Sequence, residues 1–319
     1  MKHNLLVSTS QTIALDEGDL AAPSTEVHFE ERLSDKELDG LLPSVDCMLT
    51  AWWPGRLSGE RLRLLGGLKM VQCLFAGVDA LPLGLIPEGA TLCSNAGAFS
   101  EEVGEFAIGL LMAAAKWVVR YSLSMADRRD AAIYPGTHLL RGAVLGVLGY
   151  GGIGRVAARA GRGIGMEVLS YSRRAGGEVG FAGRDGLMEV LRRSDAAVLA
   201  LPLTNLTRNI IGREELAVMK EDAILVNVAR GDLVDRRALA EHLRSRPSFR
   251  YATDVGWSVD GREEFDGDLL HMTNYLATPH VSGYTSHPTH RPVRMAMENL
   301  RRYLRGERPL NVVERSEYG

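Results

Sequence analysis

Three cysteines in 319 residues are too few, and odd in number, for a disulfide framework. Cys47, Cys73 and Cys93 also lack the C-x-x-C spacing that would build a metal cage. Each lies in an apolar run (VDCMLT, MVQCLF, TLCSN), where a small buried thiol is the expected state, and a reducing, cytoplasmic setting is expected with it. Charge of one sign is equally scarce. The formal net charge is -3, and Lys and Arg are dispersed rather than gathered into blocks, so nucleic acid and anionic membrane are not expected partners. No stretch approaches the roughly 20 apolar residues needed to cross a bilayer. The opening MKHNLLVSTSQTIALDEGDL has no apolar core of signal-peptide length. Repeats and low-complexity segments are absent from the sequence.

What remains is an ordinary globular composition, 45% apolar and 24% charged, at a length that favours two domains. Short β-rich runs alternate with amphipathic helical stretches, the pattern of parallel α/β architecture. In the first third the expected strands are 5–7, 45–50, 70–74 and 91–93, with LSDKELDGLL and RLSGERLRLLGG as helices between them. A long helical stretch is expected from Ser100 to Met125, with Ser100 as N-cap and Glu101 and Glu102 favouring the helix dipole. A second series of strands follows at 144–148, 168–171, 196–201, 223–228, 251–255 and 275–277. Helices are expected at 153–162, 187–193, 214–219 and 236–245, and six strands in about 135 residues make one doubly wound sheet. The last helix, 292–304, has no strand to feed and is expected to pack back on the first domain; 128–142 reads as an arm.

The strongest local signal is AVLGVLGYGGIGRVAARAG. Gly149, Gly151 and Gly154 form G-x-G-x-x-G directly after an apolar strand, and Gly152 and Ile153 open an Ala-rich helix. The first glycine permits a tight turn, the second lets backbone approach a pyrophosphate, and the third allows close helix–strand packing. The pyrophosphate then meets the free N–H groups of a helix N-terminus. At the end of the next strand an NAD site usually carries a carboxylate for the ribose 2′-hydroxyl. Here the chain reads Tyr171-Ser172-Arg173-Arg174. A hydroxyl and two guanidiniums suit a 2′-phosphate, so NADP is favoured over NAD.

Three further segments end candidate strands, where open α/β sheets bind ligands. AILVNVARGDLVD carries Arg230, YATDVGWSVDGREEF carries Asp254, and NYLATPHVSGYT carries His280 behind Pro279. An arginine can grip a carboxylate and polarise the carbonyl beside it. A histidine can give or take the hydroxyl proton. Singly each residue has a bland explanation; together, downstream of a dinucleotide turn, they fit a carbonyl–hydride reaction.

At this point the chain resembles the D-isomer specific 2-hydroxyacid dehydrogenases, specifically those of the glyoxylate/hydroxypyruvate reductase kind. The resemblance rests on FAGVDAL, SEEVGEFAIGLLMAAAKW, GVLGYGGIG, LPLTNLTRNIIGREELAVMKEDAILVNVARGDLVD and TPHVSG. It implies Arg230 as the substrate-carboxylate arginine, His280 as acid/base, and the backbone of Ala76, Gly77 and Val78 as a carboxylate-holding loop. It implies Asp254 at the nicotinamide carboxamide, and Pro202, Thr207, Val228 and Ala229 along the cofactor. It also implies two Rossmann-like doubly wound domains, the substrate domain discontinuous (1–95 plus 286–319) around a dinucleotide-binding domain (96–285), and a homodimer. The substrates implied are small 2-oxo and 2-hydroxy acids, glyoxylate and hydroxypyruvate among them.

One departure stands out. The family places a Glu five residues after the strand-end Asp, paired with the histidine, and here that position is Val259. Asp260 is the first candidate to replace it, with Glu263 and Glu264 as alternatives. Without any such acid, a nucleotide-sensing binding protein on the same scaffold becomes the competing expectation. Trp52, Trp53, His287 and His290 match no motif and are expected to be core, interface or solvated residues.

Overall fold

The computed structural model describes residues 3–9, 20, 24–51, 56–57, 59–126, 136–175, 178, 180–285 and 290–318. Trp52, Trp53, His287 and much of the expected arm lie outside the described residues. The chain forms two compact units, Met1–Ala98 with His287–Gly319, and Phe99–Ser286.

The first unit is built on five parallel strands: β1 (His3–Ser8), β2 (Thr25–Phe29), β3 (Cys47–Thr50), β4 (Met70–Cys73) and β5 (Thr91–Cys93). Their order is β2-β1-β3-β4-β5, so the chain reverses direction across the sheet beside β1. Strand β2, whose Val27 and Phe29 face the core, was not expected from the sequence. The three cysteines sit buried and unbridged on β3, β4 and β5, and burial pushes their thiols up to about 12, 12 and 11. The Arg291–Leu304 helix closes one face, where Val293, Ala296, Met297 and Leu300 pack with Leu5, Leu49 and Met70.

The second unit holds β6 (Val144–Leu148), β7 (Glu167–Tyr171), β8 (Ala196–Leu199), β9 (Ile224–Asn227), β10 (Arg250–Thr253), the hairpin β11 (Trp257–Val259) and β12 (Arg262–Glu264), and β13 (Tyr275–Ala277). Six of these form a parallel sheet in the order β13-β10-β9-β8-β6-β7. A single parallel bridge from Tyr171 to Phe181 extends it beyond β7. Both faces are covered, as a parallel sheet requires. Ala197, Leu199 and Leu225 face the helices Gly183–Arg193, Arg213–Val218 and Arg236–Ser245. Their neighbours Ala196, Val198, Ile224 and Val226 face Ser100–Lys116 and Gly152–Gly163. Each of the buried Val, Leu and Ile side chains contributes about 1.5–3 kcal/mol relative to exposure.

Two local expectations fail for stated reasons. The long helix breaks at Trp117, whose left-handed φ of 55° ends Ser100–Lys116 before Val118–Ala126 resumes. Ser100 is not its N-cap: the cap is Phe99, without a side-chain hydrogen bond. Among the described residues no single helix is long and apolar enough to cross a membrane, and no cluster of His, Cys, Asp and Glu could hold a metal ion.

Candidate active site

Because every strand of the six-stranded sheet is parallel, their carboxyl ends share one edge. That edge carries the glycine turn after β6, Ser172–Arg174 after β7, Pro202 and Thr207 after β8, Val228–Arg230 after β9, Asp254 after β10 and His280 after β13. The chain reverses direction between β6 and β8, the place where open α/β sheets form their ligand crevice.

The glycine turn has the space a dinucleotide needs. Gly149 has φ +104°, and a Cβ there would sit 2.5 Å from the Ala200 carbonyl. A Cβ on Gly154 would lie 2.0 Å from the Gly149 oxygen. Gly151, the N-cap of Gly152–Gly163, faces open space instead, with nothing within 4 Å of its Cβ position. Two glycines are therefore required by the protein's own backbone, while the third leaves room for an approaching group at a helix N-terminus. The crevice fits a dinucleotide on this observation.

Beyond it, the exposed Arg173 and Arg174 follow a half-buried Ser172. Pro202 and Thr207 belong to one turn, with the Thr207 hydroxyl donating to the Pro202 carbonyl at 2.6 Å and accepting from the Thr204 N–H at 2.8 Å.

The loop bearing Arg230 is set by a buried asparagine. Asn227 donates through Nδ2 to the Arg230 carbonyl (2.8 Å) and accepts through Oδ1 from the Ala229 N–H (3.1 Å). Val228 and Ala229 are buried and Arg230 is half-buried. Gly231 then passes so close to the next loop that a Cβ would meet the Gly256 oxygen at 2.0 Å. The Asp232 carboxylate accepts from Ser258 N–H (3.3 Å) and Arg208 (2.9 Å), tying the Arg230 loop to β11.

Nδ1 of His280 lies 2.8 Å from Oε2 of Glu263, and Oε1 of Glu263 accepts from the Gly256 N–H at 2.7 Å. Asp260, the first candidate for this place, is not there. It sits in the two-residue turn Asp260-Gly261 with φ 49° and 76°, and antiparallel pairing brings β12 back along β11, Ser258 opposite Glu263. Glu264 pairs with Trp257 instead. A turn with both central residues at positive φ is what an Asp-Gly dipeptide between alternating residues builds. That dipeptide is the sequence signal that selects Glu263 over its neighbours.

Asp254 follows the end of β10. It is fully buried, and its carboxylate accepts from the Thr278 hydroxyl (2.5 Å), Val281 N–H (3.0 Å) and Ser282 N–H (2.7 Å). It fixes the Thr278–Ser282 loop, which holds His280 at a left-handed φ of 55°. Asn227 and Thr278, absent from the residues expected at the site, are the other positioning groups.

In the first unit, Ala76–Gly77–Val78 follow β4 after Leu74 and Phe75. Ala76 is exposed and Val78 buried, and Asn95 braces the segment through the Leu74 and Phe75 carbonyls at 3.0 Å.

Comparison with known proteins agrees with this geometry. Residues 108–282 match the family model described as D-isomer specific 2-hydroxyacid dehydrogenase, NAD binding domain. Glyoxylate reductase of Pyrococcus furiosus is 32% identical over 304 residues, covering 91% of this chain and 89% of that protein. D-3-phosphoglycerate dehydrogenase of Methanocaldococcus jannaschii is 33% identical over 252 residues, 77% of this chain, and the match spans about half that longer protein (47%). Among solved structures, the D-isomer specific 2-hydroxyacid dehydrogenase of Xanthobacter autotrophicus Py2, in complex with NADPH and MES, superposes with a TM-score of 0.80 at 27% identity, over 98% of each chain.

Proposed function

We propose, for a chain that belongs to the D-isomer specific 2-hydroxyacid dehydrogenase family, an NADPH-preferring reduction of small 2-oxo acids to 2-hydroxy acids. Glyoxylate and hydroxypyruvate are the first substrates to test. The observation that carries this reading is the His280–Glu263 pair at 2.8 Å, on the same sheet edge as the Arg230 loop and the glycine turn.

The Phe99–Ser286 unit is the dinucleotide-binding domain in this reading, with Gly149–Gly154 at the pyrophosphate and Ser172, Arg173 and Arg174 at a 2′-phosphate. Bound nicotinamide supplies the hydride that reduces the carbonyl carbon. Arg230 grips the substrate carboxylate and polarises the carbonyl oxygen. His280 delivers the proton to that oxygen, with Glu263 orienting the ring. Asp254 acts through the loop it holds. Within its own unit, the backbone of Ala76, Gly77 and Val78 is a candidate carboxylate-binding segment.

An acid beside His280 also removes the feature that favoured a nucleotide sensor. Oxidation of NADPH and NADH in the presence of glyoxylate, hydroxypyruvate and pyruvate tests the proposal. Turnover that prefers NADPH and disappears in Arg230→Ala and His280→Ala supports it. Tight NADPH binding without turnover on any 2-oxo acid overturns it.

A further inference from the structure

The glutamate that meets His280 stands on a sheet of only two strands. Among the described residues β11 and β12 pair only with each other, over three residue pairs. A two-stranded hairpin is marginally stable alone, so contacts from outside must hold Glu263 in place against the imidazole. Two such contacts come from the stretch that follows Arg230.

The first is buried. Trp257 is 4% exposed and belongs to the same apolar core as Leu233 and Leu269. Its indole Nε1 donates to the Val234 carbonyl at 2.9 Å. The close passage of Gly231 against Gly256 lets the two backbones approach at the adjoining residue.

The second lies at the outer edge of the hairpin. In a two-residue hairpin the flanking pair, here Val259 and Arg262, exchanges the backbone hydrogen bonds. The next pair, Ser258 and Glu263, does not, and the Ser258 N–H points away from β12. Asp232 takes it: Oδ1 accepts from Ser258 N–H at 3.3 Å while Oδ2 accepts from Arg208 at 2.9 Å. The carboxylate is 12% exposed and the arginine 56%, so the ion pair itself is worth little. Its effect is to orient the carboxylate.

We propose that Trp257 and Asp232 are positioning residues for the acid/base. They make the segment after Arg230 the cradle of the Glu263 hairpin, so one stretch of chain sets both the substrate arginine and the carboxylate on His280. This rests on the reading of His280 and Glu263 as the acid/base pair. Each of the two acts through Glu263 rather than on the substrate.

Hydrogen–deuterium exchange of the intact protein, read over residues 256–264 with the buried strand Ile224–Asn227 as reference, tests the cradle. Steady-state oxidation of NADPH with glyoxylate is measured beside it. Trp257→Phe removes the indole N–H and keeps a ring; Asp232→Ala removes the acceptor, and Asp232→Asn keeps an oxygen for Ser258. In Trp257→Phe and Asp232→Ala the hairpin should exchange about tenfold faster with the reference strand unchanged, the loss of one hydrogen bond each. Their kcat should fall about fivefold with KM for glyoxylate near wild type, and Asp232→Asn should recover most of both losses. Combined with Glu263→Gln, neither should slow the enzyme further, because the group they position is already disarmed. Wild-type exchange in both variants overturns the proposal, as does an additive fall of kcat in the double variants. A wild-type rate in Glu263→Gln alone refutes the acid/base reading instead, and the exchange result then decides whether the cradle holds the hairpin.

Discussion

Glu263 reaches His280 from the returning strand of a hairpin, its two carboxylate oxygens divided between the imidazole Nδ1 at 2.8 Å and the Gly256 N–H at 2.7 Å. The backbone contact fixes the carboxylate, and the fixed carboxylate fixes the ring. Val259, at the position where the family carries its glutamate, is paired across the hairpin with Arg262 and leaves the task to the other strand. A carboxylate set in this way can orient a proton donor without touching the substrate.

Asp254 is the carboxylate on which the His280 loop is built. Asp254→Ala leaves the Val281 and Ser282 N–H groups and the Thr278 hydroxyl without their buried acceptor. A loss of about 2–4 kcal/mol in urea unfolding is expected, together with lower kcat. Unchanged stability with a raised KM for the cofactor would return Asp254 to a cofactor contact.

The three glycines of the turn separate folding from binding. Gly151→Ala fits the empty space at that position, so its thermal midpoint should stay near wild type while dinucleotide affinity falls about tenfold or more. Gly154→Ala drives a methyl into the Gly149 carbonyl and should lower stability by about 1–3 kcal/mol. Differential scanning calorimetry with a parallel binding titration reads both. Equal loss of stability in the two variants would contradict the assignment.

Arg173 follows the carboxyl end of β7, beside the switch point. Arg173→Ala is expected to weaken NADPH by about 10- to 100-fold, the worth of a charge-assisted contact, and to leave NADH nearly unchanged. Fluorescence titration with each cofactor measures the ratio. Equal weakening of the two would remove the 2′-phosphate role.

Burial, with Arg246 nearby, pushes the His242 imidazole down to about 4, and its ring packs edge-on to Phe249 with centroids 4.5 Å apart. The unfolded chain takes up that proton near pH ~6.5, where the folded chain does not. Stability therefore rises with pH across this window and is lost on acidification from about 6.5 towards 4, on the order of 3 kcal/mol in all. Urea unfolding of wild type and His242→Leu at pH 7 and pH 5 isolates the effect. Wild type should lose more than the variant, and equal losses would show the ring is not responsible.

The sequence was most legible where a single periodicity or dipeptide dictates geometry. Ala196, Val198 and their neighbours announce buried parallel strands, and the Arg236–Ser245 helix begins and ends where its pattern does. Strand β2 was illegible because its apolar face is only two residues, Val27 and Phe29, in a five-residue run. The helix break at Trp117 depends on tertiary contacts, its ring packed against Arg250 from 133 residues away in sequence, 250 − 117. Arg230 and His280 were readable from their place after strands. Asp254 was readable as a site residue, but its burial beneath a loop arriving from β13 was not. Glu263 was one of three acids until the Asp260-Gly261 turn fixed the register.

The central claim is tested most directly by steady-state oxidation of NADPH with glyoxylate at pH 7, comparing wild type, Glu263→Gln and Asp260→Ala. Glu263→Gln should lower kcat by about 10- to 100-fold with little change in KM, since it disarms the proton donor without touching the substrate. Asp260→Ala should run at close to the wild-type rate. A wild-type rate in Glu263→Gln, or its collapse in Asp260→Ala, would contradict the pairing and the mechanism built on it.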